Sequence, residues 1–494
     1  MKKMRRIASL VLAGAMAAST MTGCSSDKGN TAADATQAAQ KAETAAAQEA
    51  ATTAAGAAAE TAAENTETAS GDITSWILED TSLSGKVRFY IPFKGSAGMD
   101  DMIAEFNKTY PNIEVVLNTY NNNSDGNMAL NIAMQSGECD VVASFGLSNA
   151  FTRWENDMYM DLTDKCAEEG IDLVANWGTD KYKYDDKIYT FPCGGLSYYV
   201  AINMDAWNEA GLGELPAAWT WDEYLEACKA MTKVNGDGTV AVYGGSDYHS
   251  VNYFTFCNAQ VQGKNPYYDE DGTSSFDNPI IVNALKREYQ AEIVDKIWYP
   301  KSVYRGDNLQ TQMTFCDGVV ASAINPNMTR FLHDTEGYPN VNWVTGFAPF
   351  PTEEEGQTNY MSGVVPFSHA GISIGCQDED AAWAWLKWYS TYGVKYLVCA
   401  GHQSNWKGTE AGSAVELIYG SKEEAEKWID VESFTRVVGN PENPAYYEDQ
   451  LAGYSEVNDA LTEYTMYALN GEMSVEEAMA EATKIADDAI KAAK

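Results

Sequence analysis

The chain has 494 residues, with 71 Asp and Glu against 33 Lys and Arg, a formal net charge of −38. That balance excludes the phosphate backbone of nucleic acid as a partner and reads as a solvated surface that says little about fold. No apolar run reaches the roughly 20 residues a membrane-spanning helix needs.

Residues 1–23 carry Lys2, Lys3, Arg5 and Arg6, an apolar run from Ile7 to about Thr20, and then Met21-Thr22-Gly23 before Cys24. This is the order of a secretory leader: charged region, apolar region, cleavage site. The segment resembles a bacterial lipoprotein signal, which implies lipidation of Cys24 and, with two or more acyl chains, a stable anchor. Residues 24–71 follow as a low-complexity tether; from Ser25 to Ser70 there is no aromatic residue and no Val, Leu or Ile. Such a stretch cannot offset the backbone ordering cost of about 1–2 kcal/mol per residue.

The remainder is long enough for two packed lobes. Val87 to Ile91, Ile113 to Leu117 and Val141 to Phe145 are β-branched and aromatic runs separated by helical patterns. Met99, Met102, Ile103, Phe106 and Tyr110 share one helical stripe, and a weaker helix is expected between Asn131 and Gly137. This alternation predicts βαβ units and a mostly parallel sheet, with ligands beyond the carboxyl ends of its strands. Tyr182 to Phe191, centred on Asp185-Asp186, reads as a hairpin. A segment crossing between lobes, with the hinge, is expected at Tyr198 to Asn203. Asn203 caps a short helix, and Thr220-Trp221-Asp222-Glu223 is a capping box opening another. Strands near Tyr243 to Gly245 and Val319 to Ile324 feed the loops Ser246–His249 and Asn325–Asn327. Gly371 to Ile374 precedes a helix with Ala382, Trp385 and Tyr389 on one face. Two C-terminal helices close the chain, the last capped by Ser474 and Glu477. The eight cysteines after Cys24 form no C-x-x-C, fit buried thiols as well as bridges, and suggest no pairing.

The motifs Tyr184-Asp185-Asp186-Lys187-Ile188-Tyr189-Thr190-Phe191-Pro192, Ala201-Ile202-Asn203-Met204-Asp205, Glu209-Ala210-Gly211-Leu212 and Trp221-Asp222-Glu223-Tyr224 occur in a recognisable order. With Phe106 through Val115 and Phe315 to Gly318, the chain resembles an extracellular solute-binding protein of bacterial ABC importers, of the sugar-binding group. The resemblance implies an α/β, two-lobed, periplasmic-binding-protein-like fold (type II). In it, mixed, mostly parallel sheets are flanked by helices, with a hinge between the lobes. Lobe 1 would span 72–197, with about 349–420 returning to it; lobe 2 would span 198–348; 421–494 would pack as helices on the lobes. Three features depart from the family's pattern. Asp186 stands where Gly is usual in the hairpin, the Trp219 to Glu223 turn carries extra residues, and Asn325-Pro326-Asn327 replaces the expected Gly-x-aromatic.

A sugar needs rings against its C–H faces and amides or carboxylates for its hydroxyls, since an unpaired buried polar group costs about 1–3 kcal/mol. Phe93, Phe145, Tyr198, Tyr248 and Tyr253 are the candidate rings. Ser148, Asp247, His249, Asn252, Asn325 and Asn327 are the candidate hydrogen-bonding groups, and Gly363 completes the set. Lys94 either pairs an anionic ligand or stays solvated. The same aromatic residues could equally be core, and the polar ones helix caps.

No P-loop, zinc-protease or nucleophile-elbow motif is present, and Gly195-Leu196-Ser197-Tyr198-Tyr199 lacks the second Gly of the last. Asn235-Gly-Asp-Gly and Asp269-Glu-Asp-Gly read as turns rather than Ca²⁺ loops. No enzyme activity, metal or cofactor is expected. The expectation is a monomeric receptor on the outer face of the cytoplasmic membrane, held by its lipid anchor. Its partners would be a sugar or oligosaccharide and the ABC permease subunits. The alternatives are a surface glycoside hydrolase and a binding or sensor protein for polyamines or another small solute.

Overall fold

The computed structural model describes residues 76–77, 80–249, 252–262, 267–268, 272–440, 442–446 and 453–493. The leader, Cys24, the tether to residue 71 and residues 269–271 lie outside the described residues. Along the chain run β1 (Gly85–Ile91), β2 (Ile113–Thr119), β3 (Val141–Phe145), β4 (Phe191–Pro192), β5 (Gly194–Leu196) and β6 (Tyr199–Asn203). They are followed by β7 (Ser322–Asn325), β8 (Thr345–Pro349), β9 (Val365–Pro366), β10 (Ser368–Ile372) and β11 (Gln403–Ser404).

In the first lobe the strand–helix alternation gives a sheet ordered β2-β1-β3-β10-β4. β1 lies parallel to β2 (Val87↔Val115) and to β3 (Phe89↔Val141), as βαβ connections require. The later strands correct the mostly parallel expectation: β10 runs antiparallel to β3 and β4. In the second lobe β6 is the central strand, antiparallel to β7 (Ala201↔Ala323) and β8 (Ala201↔Phe347). A strand arriving from the other lobe enters its sheet from the opposite direction, so it cannot continue the parallel order. Among the described residues, single bridges at Tyr243–Val320, Gly245–Trp298 and Thr345–Ile429 extend that sheet in parallel.

The hinge expectation shifts for the same reason. β6 is paired on both sides and its residues Tyr199 to Ile202 are fully buried, so it cannot flex. The crossing lies just before it, where β5 is the middle strand of a small β9-β5-β11 sheet between the lobes. A Cβ at Gly195 would fall 2.0 Å from the Val365 carbonyl, so the close approach requires glycine.

The first lobe's core joins Phe89, Phe106, Trp385 and Tyr389, with Phe106 edge-on to Trp385 at 4.9 Å. It draws in residues Ala370 to Trp406 from late in the chain. One core of the second lobe contains Trp221, Tyr224, Tyr253 and Trp298 with Ala478, Met479 and Ala482 of the last helix. The other joins Phe315 and Phe347 to Tyr419 and Phe434. Local signals account for many boundaries. Thr220 and Glu223 make both bonds of the capping box, and the hairpin turns at Asp185 (φ 50°) and Asp186 (φ 62°), a left-handed pair that Asp tolerates. One boundary differs: the second helix is Ser124–Gln135, capped by Asn123. Asn131 sits inside it and accepts a bond from Arg153 Nε at 2.8 Å. All eight described cysteines are free thiols, six of them buried.

Candidate ligand-binding site

Rings gather where the strands of the first lobe end. Phe93 follows β1, Phe145 closes β3, Phe367 precedes β10, and His402 precedes β11. Phe145 lies nearly parallel to Phe367 (5.3 Å between centroids, 21°) and to His402 (4.9 Å, 24°), and Phe93 meets His402 edge-on at 5.2 Å. From the second lobe, Tyr198 packs on Phe256 at 4.6 Å and on Tyr248 at 6.2 Å.

The lobes touch beside these rings. Arg330, in the turn after β7, donates through Nη1 to the Ala400 carbonyl at 2.9 Å and stacks over Phe331 at 4.6 Å. Gly401 (φ 91°) packs so closely that a Cβ there would be 2.8 Å from Asn327 Cβ. Burial and the neighbouring Arg330 push the His402 imidazole down to about 3, so it is neutral at neutral pH.

Several polar atoms are buried without a partner among the described residues: Asn325 Nδ2, Asn327 Oδ1, His402 Nδ1 and Arg330 Nε in this region, and Asn252 Oδ1 just before the helix Tyr253–Gln262 that carries Phe256. They are not loose. Asn325 Oδ1 is fixed by the Asn327 backbone N–H at 2.8 Å, which leaves its Nδ2 as the free donor. A buried amide or guanidinium atom left unpaired costs about 1–3 kcal/mol. Five of them, donors and acceptors together, suit a neutral ligand whose hydroxyls do both.

Other predicted residues are engaged elsewhere. Asp247, 2% exposed, is held by Lys301 Nζ at 2.7 Å through one oxygen and by the Tyr248 N–H at 2.6 Å through the other. Lys301 also bonds Glu288 at 2.7 Å, and its backbone N–H reaches Glu292 at 3.0 Å. Burial raises Asp247 to about 7 and Glu292 well above the usual carboxylate range. His249 bonds Thr311 at 3.0 Å and is lowered to about 3 by burial, with Arg305 and Lys301 adding to it. Tyr253 is core, donating to the Ala284 carbonyl at 2.5 Å. Gly363 donates to the Pro444 carbonyl at 2.8 Å and has no room for a Cβ, so its packing explains it. Lys94 is exposed, and the side chain of Ser148 lies outside the described residues. Arg330 and Phe367 carry no local signal in the sequence beyond proximity to strand ends, whereas His402, on a Gly-rich turn after a helix, can be set at the border of the cleft but is not among the candidates named from sequence.

A family model described as bacterial extracellular solute-binding protein matches residues 90–396, more than half of the chain. The arabinooligosaccharide-binding protein of Bacillus subtilis (strain 168) is 25% identical over 267 residues, 52% of this chain and 58% of that protein. The chain thus spans less than two thirds of that curated relative's length. Among solved structures, a sugar transporter of Rhizobium etli in an open conformation aligns with TM-score 0.65 at 16% identity, over 83% of this chain and 100% of that one. An ABC substrate-binding protein of Listeria monocytogenes in complex with cycloalternan gives 0.60 at 18%, over 83% and 100%. Maltose-bound MalE3 of T. maritima gives 0.57 at 19%, over 81% and 98%. At these identities the likeness is one of fold, a two-lobed one.

Proposed function

From the premise that this chain belongs to the bacterial extracellular solute-binding protein family, we propose that it captures a sugar or oligosaccharide between its lobes and passes it to an ABC permease. Lipidated Cys24 would hold it at the outer face of the cytoplasmic membrane. The observation that carries the reading is the set of unpartnered buried donors and acceptors beside the Phe93, Phe145 and His402 rings. A polyhydroxylated ring presents C–H faces to such aromatics and hydroxyls to such amides. Arg330 and a neutral His402 make the site unsuitable for a polyamine, whose charges would face a cation with no carboxylate among the described residues to offset them. Several of the similar proteins bind ligands of this kind: arabino-oligosaccharide, cycloalternan and maltose.

A thermal-shift screen tests it. A ligand at a 100-fold excess over Kd stabilises the native state by about 2.7 kcal/mol. Arabino-oligosaccharides and maltodextrins should raise Tm without being cleaved, as chromatography of the incubated glycan would verify. A shift produced by spermidine but by no sugar would overturn the carbohydrate reading, and release of shortened glycans would overturn the receptor reading. Cys24→Ser should free the protein from the membrane fraction while leaving the sugar-induced shift intact.

A further inference from the structure

Past β8, at the outer edge of the second lobe's sheet, lies a cavity of 220 Å³ walled by Trp219, Pro349, Thr352, Gln357, Arg436 and Asn443. It is separate from the site between the lobes. Pro349 and Asn325 flank Tyr199 on opposite sides, one on β8 and the other on β7. They are therefore two strand spacings apart, about 9–10 Å. None of the rings or amides assigned to the sugar lines this cavity.

Most of its polar groups are already used. The Trp219 indole N–H donates to the Pro349 carbonyl at 2.7 Å, so only its ring is on offer. Thr352 Oγ1 donates to the Trp219 and Glu354 carbonyls, and Asn443 Nδ2 to the carbonyls of Ser362 and Arg436. Two donors remain. Gln357 Oε1 accepts the backbone N–H groups of Glu353 (3.1 Å) and Glu354 (3.3 Å), which fixes the amide so that Nε2 faces away as a donor. That Nε2 is buried and unpartnered, as is Arg436 Nε, and the Arg436 side chain makes no hydrogen bond or ion pair among the described residues. A cation and an oriented amide N–H beside an apolar wall call for an acceptor that carries charge, and a carboxylate supplies both oxygens.

We propose that this cavity is a second solute site, taking a small ring that bears a single carboxylate. The carboxylate lies on Arg436 and Gln357 and the ring on Trp219 and Pro349. Its volume is below the roughly 300 Å³ at which pockets for larger ligands begin, which limits the occupant to one ring. Glu354 and Glu355, exposed on the same loop, repel multiply charged anions such as phosphate. Sugar acids and plain cyclic acids share this chemistry.

Ligand-observed NMR on the full chain separates the cases, with galacturonate, cyclohexanecarboxylate, acetate and sulfate as probes. At least one ring acid should bind the wild-type protein, and which one binds identifies the source. Arg436→Gln should weaken it by about tenfold or more, the usual scale for losing a charged hydrogen bond. Arg436→Lys, which keeps the charge but not the Nε donor, should fall between, with unchanged melting to show that both variants fold. Arg330→Gln should leave ring-acid binding intact. The proposal is overturned if neither ring acid binds, if acetate or sulfate binds as well as they do, or if the loss follows Arg330 instead of Arg436. In that last case the acid sits between the lobes.

Discussion

Lys301 and Arg330 belong to the same lobe, the first a buried cation and the second a half-buried one, yet their surroundings are opposite. Lys301, 1% exposed, is ringed by Asp247, Glu288 and Glu292. Arg330 has the Ala400 carbonyl and the face of Phe331, and its Nε has no partner among the described residues. A buried charge that is oversupplied with partners holds a loop in place. One that is undersupplied has a use for a partner that arrives later. The Lys301 cluster fixes the chain entering Tyr248 and His249, whereas Arg330 stands at the contact between lobes, where a ligand hydroxyl would complete it.

The largest effect should come from breaking the oversupplied side. Lys301→Met removes the ammonium that pairs with Asp247 and Glu288 and lies in the field of Glu292, and removing one partner of a buried pair costs about 3–5 kcal/mol. Chemical denaturation should show a loss of that size, partly recovered at acid pH as the orphaned carboxylates take up protons. A variant as stable as wild type would mean that Lys301 is not the keystone of the cluster.

The pH dependence of the same cluster comes next. Asp247 is raised to about 7 in the fold, so between about pH 4 and 7 the folded protein keeps a proton that the unfolded chain has lost. Stability from this group is full at low pH and declines as pH rises through that window. Glu292 shifts in the same direction. His249, His369 and His402, each lowered to about 3 by burial, push the other way, adding stability as pH rises towards the ordinary histidine range. Comparing Asp247→Asn with wild type cancels the histidines. The variant should gain on wild type from about pH 4 to about pH 7 and then run parallel to it. A flat difference curve would show that Asp247 is ionised throughout.

Breaking the undersupplied side should act on binding more than on folding. Arg330→Gln should weaken oligosaccharide binding by about ten- to a hundredfold, as the loss of a charged hydrogen bond does. The ligand-free Tm should change little, because the wild-type guanidinium is itself poorly satisfied. Calorimetry and melting on the same preparation separate the two. Equal damage to both would make Arg330 a structural residue and dissolve the contrast with Lys301.

How much of this was legible in the sequence follows the range of the interactions. The capping box at Thr220, the Asp185-Asp186 turn and the strands of the first lobe are written in neighbouring residues, and the structure has them. Phe145 and Tyr198 could be proposed from sequence because strand ends could be placed. Asp247 was read as a ligand group because its partners Lys301, Glu288 and Glu292 lie far along the chain with no local signature. Tyr253 and Tyr198 look alike in sequence, yet one is locked under Trp221 and Trp298 and the other faces Tyr248. Arg330 and His402 acquire meaning only when the two lobes meet.

The smallest predicted effect tests that meeting point directly. Gly401 has φ 91°, and an added Cβ would stand 2.8 Å from Asn327 Cβ and 3.4 Å from Arg330 Nε. Gly401→Ala therefore combines a left-handed backbone penalty of about 1 kcal/mol with a clash across the lobes. If the lobes stay apposed, the whole cost appears as a lower ligand-free Tm. If they part to relieve the clash, Tm falls only by the backbone share, the Arg330–Ala400 bond is lost, and small-angle scattering of the ligand-free variant shows a larger radius of gyration. Sugar binding then weakens by a few-fold because closing must restore the strained contact. We expect the second pattern, since a local contact made by the Arg330–Ala400 bond and the packing of Gly401 on Asn327 gives way more readily than a packed core. The first would show that the lobes are joined as firmly as the Lys301 cluster joins its loop.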